Sequence, residues 1–160
     1  LAEAIMATGM PVLTGGTDNH LLLVDVAKKY GLTGRQAESA LRACKVTLNR
    51  NSLPFDPNGA WYTSGLRIGT PAVTTRGLTP ESMKEIAAVL ALVLENTKPT
   101  TTPDGKPSLA KYETAPVAAD EARRRVADLL ADFPLYPELT ESVAETALAH
   151  WKDAAAADTK

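Results

Sequence analysis

Asn49-Arg-Asn-Ser-Leu-Pro-Phe-Asp-Pro-Asn-Gly-Ala-Trp-Tyr-Thr-Ser-Gly-Leu-Arg-Ile-Gly-Thr-Pro71 carries more structural and chemical signal than any other part of this chain. Its first part, 49–63, is dense in Asn, Pro, Gly and Asp, which favour turns, so it is expected as a long irregular loop. Gly65–Ile68 then fits a short strand. Neighbouring side chains of a strand point to opposite faces, so Leu66 and Ile68 turn one way and Arg67 the other. An arginine enclosed by apolar residues and glycines needs a partner, because burying its charge alone costs several kcal/mol. Its planar fork suits a carboxylate or phosphate held by two parallel hydrogen bonds. Two readings stand at this point. One is a structural ion pair with an acid such as Asp18 or Asp25, the other a grip on an anionic ligand. Gly65 and Gly69 allow close backbone approach, which suits a ligand.

Upstream, Leu21–Val26 is an apolar run whose length favours a buried strand. Leu1–Gly9 reads as the tail of a helix with Leu1, Ile5 and Met6 on one face, and Val12–Thr14 as a short strand. Thr33-Gly-Arg-Gln36 has capping-box spacing, and the helix after it presents Ala37, Ala40 and Leu41. β-branched Val46-Thr47-Leu48 is expected as a further strand. Downstream, Thr79-Pro80-Glu81 signals a helix start, and Met83, Ile86, Ala87, Leu90 and Leu94 repeat at helical spacing through Asn96. Lys98–Pro107, with three prolines and a glycine, reads as a linker or surface loop within a loop region spanning 97–118. A last helix is expected from Ala119 to Asp132, with Val126, Leu129, Leu130 and Phe133 inward. Residues 136–160 read as an Ala-rich, flexible tail in which His150 is solvated and Trp151 is the one conceivable docking anchor. This interleaving implies an α/β fold, an α+β two-layer sandwich with a small antiparallel or mixed sheet packed against helices.

The chain has 160 residues, enough for one domain and for a core that needs no disulfide or metal. A net charge of -2, with 44% hydrophobic and 22% charged residues, argues against a disordered chain and a bulk-charge nucleic-acid binder. Charge is uneven, +2 over residues 1–100 and -4 over 101–160. Cys44 is the single cysteine, so no bridge can form within the chain and a reducing, cytoplasmic setting is expected. No apolar run reaches the 18 or so residues of a membrane span, and no signal-peptide pattern opens the chain. The first residue is Leu1, which suggests a fragment. Ordinary catalytic constellations are missing, and His20, His150 and Cys44 have no metal-ligand spacing. Cys44 fits a small buried hydrophobe better than a reactive thiol. His20 fits turn and strand-start hydrogen bonding better than a catalytic base.

Three blocks together resemble a known family. Gly15-Gly-Thr-Asp-Asn-His-Leu-Leu-Leu-Val-Asp25, then Asn49-Arg-Asn51 with Pro54, then Thr63-Ser-Gly-Leu-Arg-Ile-Gly-Thr-Pro71-Ala-Val-Thr-Thr-Arg-Gly77 are similar, in order and spacing, to the C-terminal region of serine hydroxymethyltransferase. The likeness covers about residues 1–135.

The resemblance implies a fold-type I enzyme that uses pyridoxal 5'-phosphate and interconverts serine plus tetrahydrofolate with glycine plus 5,10-methylenetetrahydrofolate. It implies that residues 1–10 end an inter-domain helix, that 11–135 form the small C-terminal domain, and that the cofactor-anchoring lysine belongs to a large domain absent here. The isolated chain is then expected to be inactive, with no catalytic, cofactor-binding or metal-binding residue of its own. Arg67 matches the arginine that grips the substrate carboxylate. Asn51 matches a folate-contacting asparagine. Gly59, Ala60 and Trp61 occupy a second folate-contacting stretch that is usually Ser-Pro-Phe; the aromatic is kept and the proline lost. Asp18, Asn19 and His20 fall in a block read as turn structure. The implied partners are serine or glycine, tetrahydrofolate, the protein's own large domain and further copies in a homodimer or homotetramer, with no nucleic acid and no membrane. Two other readings stand beside it. One is a stand-alone, non-catalytic module that binds an anion or a protein. The other is a different fold-type I enzyme such as an aminotransferase, which shares the carboxylate arginine but lacks the folate loop.

Overall fold

The structure, a computed structural model, describes residues 1–136. It has the α/β two-layer form, with helices packed on small antiparallel sheets. The main sheet has the order β1-β3-β2, formed by β1 (Leu21–Asp25), β2 (Asn49–Asn51) and β3 (Gly65–Gly69). Leu22 faces Ile68 and Val24 faces Leu66 across the β1–β3 ladder, and all four are buried. Their face meets the helices. Ile5 of α1 (Ala2–Ala7), Leu41 of α3 (Gly34–Ala43), and Leu90, Val93 and Leu94 of α6 (Ser82–Glu95) join them in one core. Truncating any of these leucines to alanine removes contacts worth about 2–5 kcal/mol.

α3 starts as expected. The Thr33 hydroxyl accepts from the Gln36 N–H at 3.2 Å, and the Gln36 side chain accepts from the Thr33 N–H at 2.9 Å. The helix presses on the corner before β3: Gly34 N–H donates to the Thr63 carbonyl at 2.9 Å. A Cβ at Gly34 would lie 2.1 Å from Thr63 Oγ1 and 2.5 Å from the Gly65 carbonyl oxygen, so only glycine permits this approach.

The end of α3 explains why Val46–Leu48 is not the expected strand. Lys45 takes a left-handed φ of 68°, Lys45 N–H returns to the Arg42 carbonyl, and Val46 N–H returns to Leu41. That pair of bonds is a Schellman closure, which spends the Val46 donor. Pairing begins only at Asn49, inside the segment expected to be wholly irregular. That segment also holds the single helical turn α4 (Gly59–Tyr62). Val12–Thr14 likewise gives one bridge, Val12 to Val24, before Thr14 and Gly15 turn to positive φ in a 3-10 turn. α2 (Val26–Tyr30) follows β1 directly, and Asp25 caps it by accepting from Lys28 N–H at 2.9 Å. α5 (Pro71–Thr75) follows β3.

The Lys98–Pro107 segment is not a linker. Thr97–Thr101 (β4) and Pro107–Thr114 (β5) form an antiparallel hairpin, turned at Thr102–Lys106 with Gly105 at φ 79°. Buried Gln36 holds it, donating from Nε2 to the Ser108 and Lys111 carbonyls at 2.7 and 2.8 Å, and Thr33 Oγ1 donates to Leu109. α7 (Pro116–Ala131) begins earlier than expected, at its proline, and its buried residues are Ala118, Ala119 and Ala122. Val126 packs on the core, whereas Leu129, Leu130 and Phe133 are half-exposed. Small alanines let α7 lie close to its neighbours, so the larger residues are carried past the core's edge. Arg125 joins α7 to α6 through a two-point grip on Glu85, at 2.6 and 2.7 Å. His150, Trp151 and the rest of the expected tail beyond Tyr136 lie outside the described residues.

Candidate functional site

β3 carries Arg67 on the face of the sheet opposite the core. Leu66 and Ile68 are buried and Arg67 is exposed, as the alternation requires. The expected enclosure does not occur: among the described residues no layer covers the outer face of this sheet, and Arg67 lines an open concavity. Neither expected ion pair forms. Asp25 is spent capping α2, and among the described residues no carboxylate lies within 4 Å of the Arg67 guanidinium. The Arg67 hydrogen-bond partner is neutral, the Asn49 side-chain oxygen, at 3.2 Å. Asn49 stands opposite Arg67 in the β2–β3 register, and Asn51 stands opposite Gly65 two residues along, on the same face.

Arg67 and Asn51 line one concavity with Leu21, Leu23 and the turn 13–19. Asp18 is the one carboxylate in that lining, and no lysine, histidine or cysteine contributes to it. The arrangement can bind and orient an anion. Its lining offers no second cation and no imidazole to move a proton. His20 lies beside the concavity, exposed, with its carbonyl accepting from Thr70 N–H at 3.1 Å. The strand start is organised by Asn19, whose side-chain oxygen accepts from Leu21 N–H at 2.8 Å. Cys44 is buried at the end of α3; burial pushes its thiol up, with Arg123 pulling down and Asp120 adding to the rise.

Gly59, Ala60 and Trp61 sit elsewhere. They form α4, and the Trp61 ring, 62% exposed, has the Arg35 and Arg50 guanidinium carbons 5.3 and 5.4 Å from its centroid. Such contacts contribute about 0.5–1 kcal/mol each at exposed sites. Arg50 also pairs with Glu38 of α3 at 3.2 Å, so this cluster belongs to the helix-facing side of the sheet. The structure therefore groups Asn51 with Arg67 and sets Trp61 apart from both.

Asp56 organises the loop between them. Its Oδ2 accepts from Leu53 N–H at 3.0 Å and Ser64 N–H at 2.7 Å; its Oδ1 accepts from Asn58 N–H at 2.9 Å and the Ser64 hydroxyl at 2.6 Å. Burial raises this carboxyl, but the hydrogen bonds from Ser64, Leu53 and Asn58 outweigh it and hold it below the usual carboxylate range. The sequence reading passed over Asp56, Asn49, Arg35 and Arg50. Asn49 had a signal, its two-residue spacing from Asn51, and Asp56 had another, an aspartate between Pro54 and Pro57 in a turn-rich stretch.

A family profile described as serine hydroxymethyltransferase matches residues 1–90. The chain is 58% identical over 141 residues to a serine hydroxymethyltransferase of Treponema pallidum, 88% of this chain and 24% of that protein. It is 52% identical over 139 residues to one of Cutibacterium acnes, 87% of this chain and 28% of that protein. A Salinispora tropica relative is 52% identical over 87% of this chain and 29% of its own length. The chain thus spans between a quarter and a third of the first two relatives' length only at its upper figure, 28%, and falls just under a quarter at the lower, 24%.

Proposed function

The chain belongs to the serine hydroxymethyltransferase family, and from that premise we propose that it supplies the substrate-carboxylate and folate contacts of a complete hydroxymethyltransferase. The reaction is the interconversion of serine plus tetrahydrofolate with glycine plus 5,10-methylenetetrahydrofolate. The observation that carries this reading is Arg67, aimed outward by a neutral amide and left without a carboxylate partner among the described residues. A guanidinium in that state can take the α-carboxylate of serine or glycine through two parallel hydrogen bonds.

A two-point clamp fixes the amino acid's rotation as well as its position. Fixing orientation in this way can remove several kcal/mol from a reaction barrier. Asn51, on the same sheet face, serves the folate, with Gly59, Ala60 and Trp61 as the second folate contact. The placement of Trp61 against Arg35 and Arg50 supports an aromatic platform there, on a different side from the carboxylate clamp.

These residues do not form a pyridoxal 5'-phosphate site of their own. Among the described residues the concavity has no lysine in its lining, and Arg67 is the one cation there. The cofactor is therefore assigned to the rest of the complete protein, and the chain's own part is to bind and orient. In the same reading, residues 1–10 end the helix joining the two domains, 11–135 are the small domain, and the isolated chain has no transferase activity. The complete enzyme is cytoplasmic and assembles as a homodimer or homotetramer.

The test is an assay of the complete protein for glycine formation from serine, with and without tetrahydrofolate. Cleavage that rises strongly with tetrahydrofolate is expected. Serine turnover indifferent to it, or none, would contradict the reading.

A further inference from the structure

Asn51 and the Gly59–Trp61 turn lie on opposite sides of the sheet at its β2 edge, so the connection from Asn51 to Gly65 must hold a fixed shape if one folate is to reach both around that edge. Its backbone does not hold that shape unaided. Phe55 and Thr63 both adopt a φ of 57°, an unfavourable conformation for an aromatic and a β-branched residue. The Phe55 ring is wholly exposed and packs on nothing. Pro54 and Pro57 have no N–H to donate.

The far end of the connection is anchored to the body. Thr63 carbonyl accepts from Gly34 N–H at 2.9 Å, and Ser64 carbonyl accepts from Val26 and Ala27 N–H at 3.1 and 3.2 Å. The near end is anchored by the β2–β3 ladder, which stops at Asn51. Next to the near anchor the Ser52 carbonyl accepts from Asn51 Nδ2 at 2.7 Å; beyond it, among the described residues, the hydrogen bonds from segment 53–58 to the body all meet at Ser64. Asp56 accepts from its N–H and hydroxyl, and Asn58 Nδ2 donates to its hydroxyl at 2.9 Å. The same Asp56 carboxylate takes Leu53 N–H on the outgoing leg and Asn58 N–H just before α4.

We propose that Asp56 is a positioning residue for folate, its carboxylate tying both legs of the Asn51–Gly65 connection to Ser64 and so setting Asn51 and the Gly59–Trp61 turn relative to each other. The role rests on the folate reading given above. It predicts a split between the two substrates. Arg67 is held by pairing with β1 and β2, with Leu23 and Asn49 opposite it, and does not depend on the loop.

The experiment uses the complete enzyme as wild type, Asp56→Ala, Asp56→Asn and Asn51→Ala. It measures KM for tetrahydrofolate and for serine, serine affinity by equilibrium titration, and thermal unfolding. In Asp56→Ala the tetrahydrofolate KM should rise roughly tenfold or more while serine affinity stays within about threefold, since small misplacements of a binding group cost that much. Asp56→Asn keeps one acceptor oxygen and so two of the four hydrogen bonds, and should fall between. A tetrahydrofolate KM unmoved in Asp56→Ala but raised in Asn51→Ala would overturn the positioning role alone. Parallel loss of serine and folate affinity in both Asp56 variants would also overturn it, as general destabilisation. No folate dependence in the wild type would overturn the folate reading and this role with it.

Discussion

Arg67 and Asn49 stand opposite each other across the β2–β3 ladder, with the Arg67 Nη2 donating to the Asn49 side-chain oxygen at 3.2 Å. The amide aims the guanidinium without neutralising it. Asn49→Asp would put a carboxylate in the same place and give Arg67 a standing counter-ion. Serine affinity of the complete enzyme should then fall roughly fivefold or more, the scale of an exposed ion pair that a ligand must displace. Asn49→Ala loses only the aim and should cost less. Serine KM and equilibrium titration measure both; an Asn49→Asp enzyme with wild-type serine affinity would refute this use of the pair.

Gln36 sits wholly buried between α3 and the hairpin, satisfying Thr33 N–H and the carbonyls of Ser108 and Lys111. Gln36→Leu has similar bulk but leaves all three groups without a partner. Two of them, the Thr33 N–H and the Ser108 carbonyl, are buried, and each orphaned buried group costs about 1–3 kcal/mol, so a total loss of roughly 2–6 kcal/mol is expected in denaturant unfolding. Amide exchange should quicken first over β4 and β5. A change under about 0.5 kcal/mol would show that the hairpin does not depend on this clamp.

Glu85 and Arg125 give a pH dependence with a definite sign. The hydrogen bonds from Arg125 hold the Glu85 carboxyl below its ordinary value; burial and Glu121 oppose this, while the Arg125 and Arg124 charges assist. A depressed carboxyl contributes stability above the unfolded-state value, near 4.3, and loses it as pH falls through the lower folded value. The pair is partly exposed, with side-chain accessibilities of 37% and 25%, so its contribution is about 1 kcal/mol at most. The difference in melting temperature between wild type and Arg125→Ala should be constant above about pH 5 and shrink towards pH 3. A difference that grew on acidification would reverse the assignment.

Much of the fold was legible because local chemistry and tertiary structure agree. Thr33 and Gln36 form the capping box that their spacing announces, and Leu66, Arg67 and Ile68 alternate as a strand must. Where the two disagreed, an interaction distant in sequence decided. Val46–Leu48 has strand chemistry, but the Val46 N–H is taken by Leu41 in closing α3. Thr97–Thr101 contains Pro99 and little apolar surface, so it reads as a linker; what makes it a strand is β5, clamped by Gln36 more than 70 residues away. The Thr102-Pro-Asp-Gly105 turn was the available clue.

The candidate site divides in the same way. The outward face of Arg67 follows from alternation, but its exposure does not, because flanking glycines and apolar residues resemble an enclosed strand, and only the fold shows that no other described element covers that face. Asn51 shares that face through register, which no spacing argument supplies. Asp56 was hidden among turn-forming residues whose composition says "loop" without saying what holds the loop.

The proposed role of Arg67 is to bind the substrate carboxylate as a two-point fork. Arg67→Lys keeps the charge and loses the fork, so the direct measurement is the equilibrium affinity of the complete Arg67→Lys enzyme for serine, beside its thermal unfolding. A loss of roughly tenfold or more with unfolding unchanged is the predicted result, on the scale of a charge-assisted hydrogen bond. Near-normal serine affinity in that variant would contradict it.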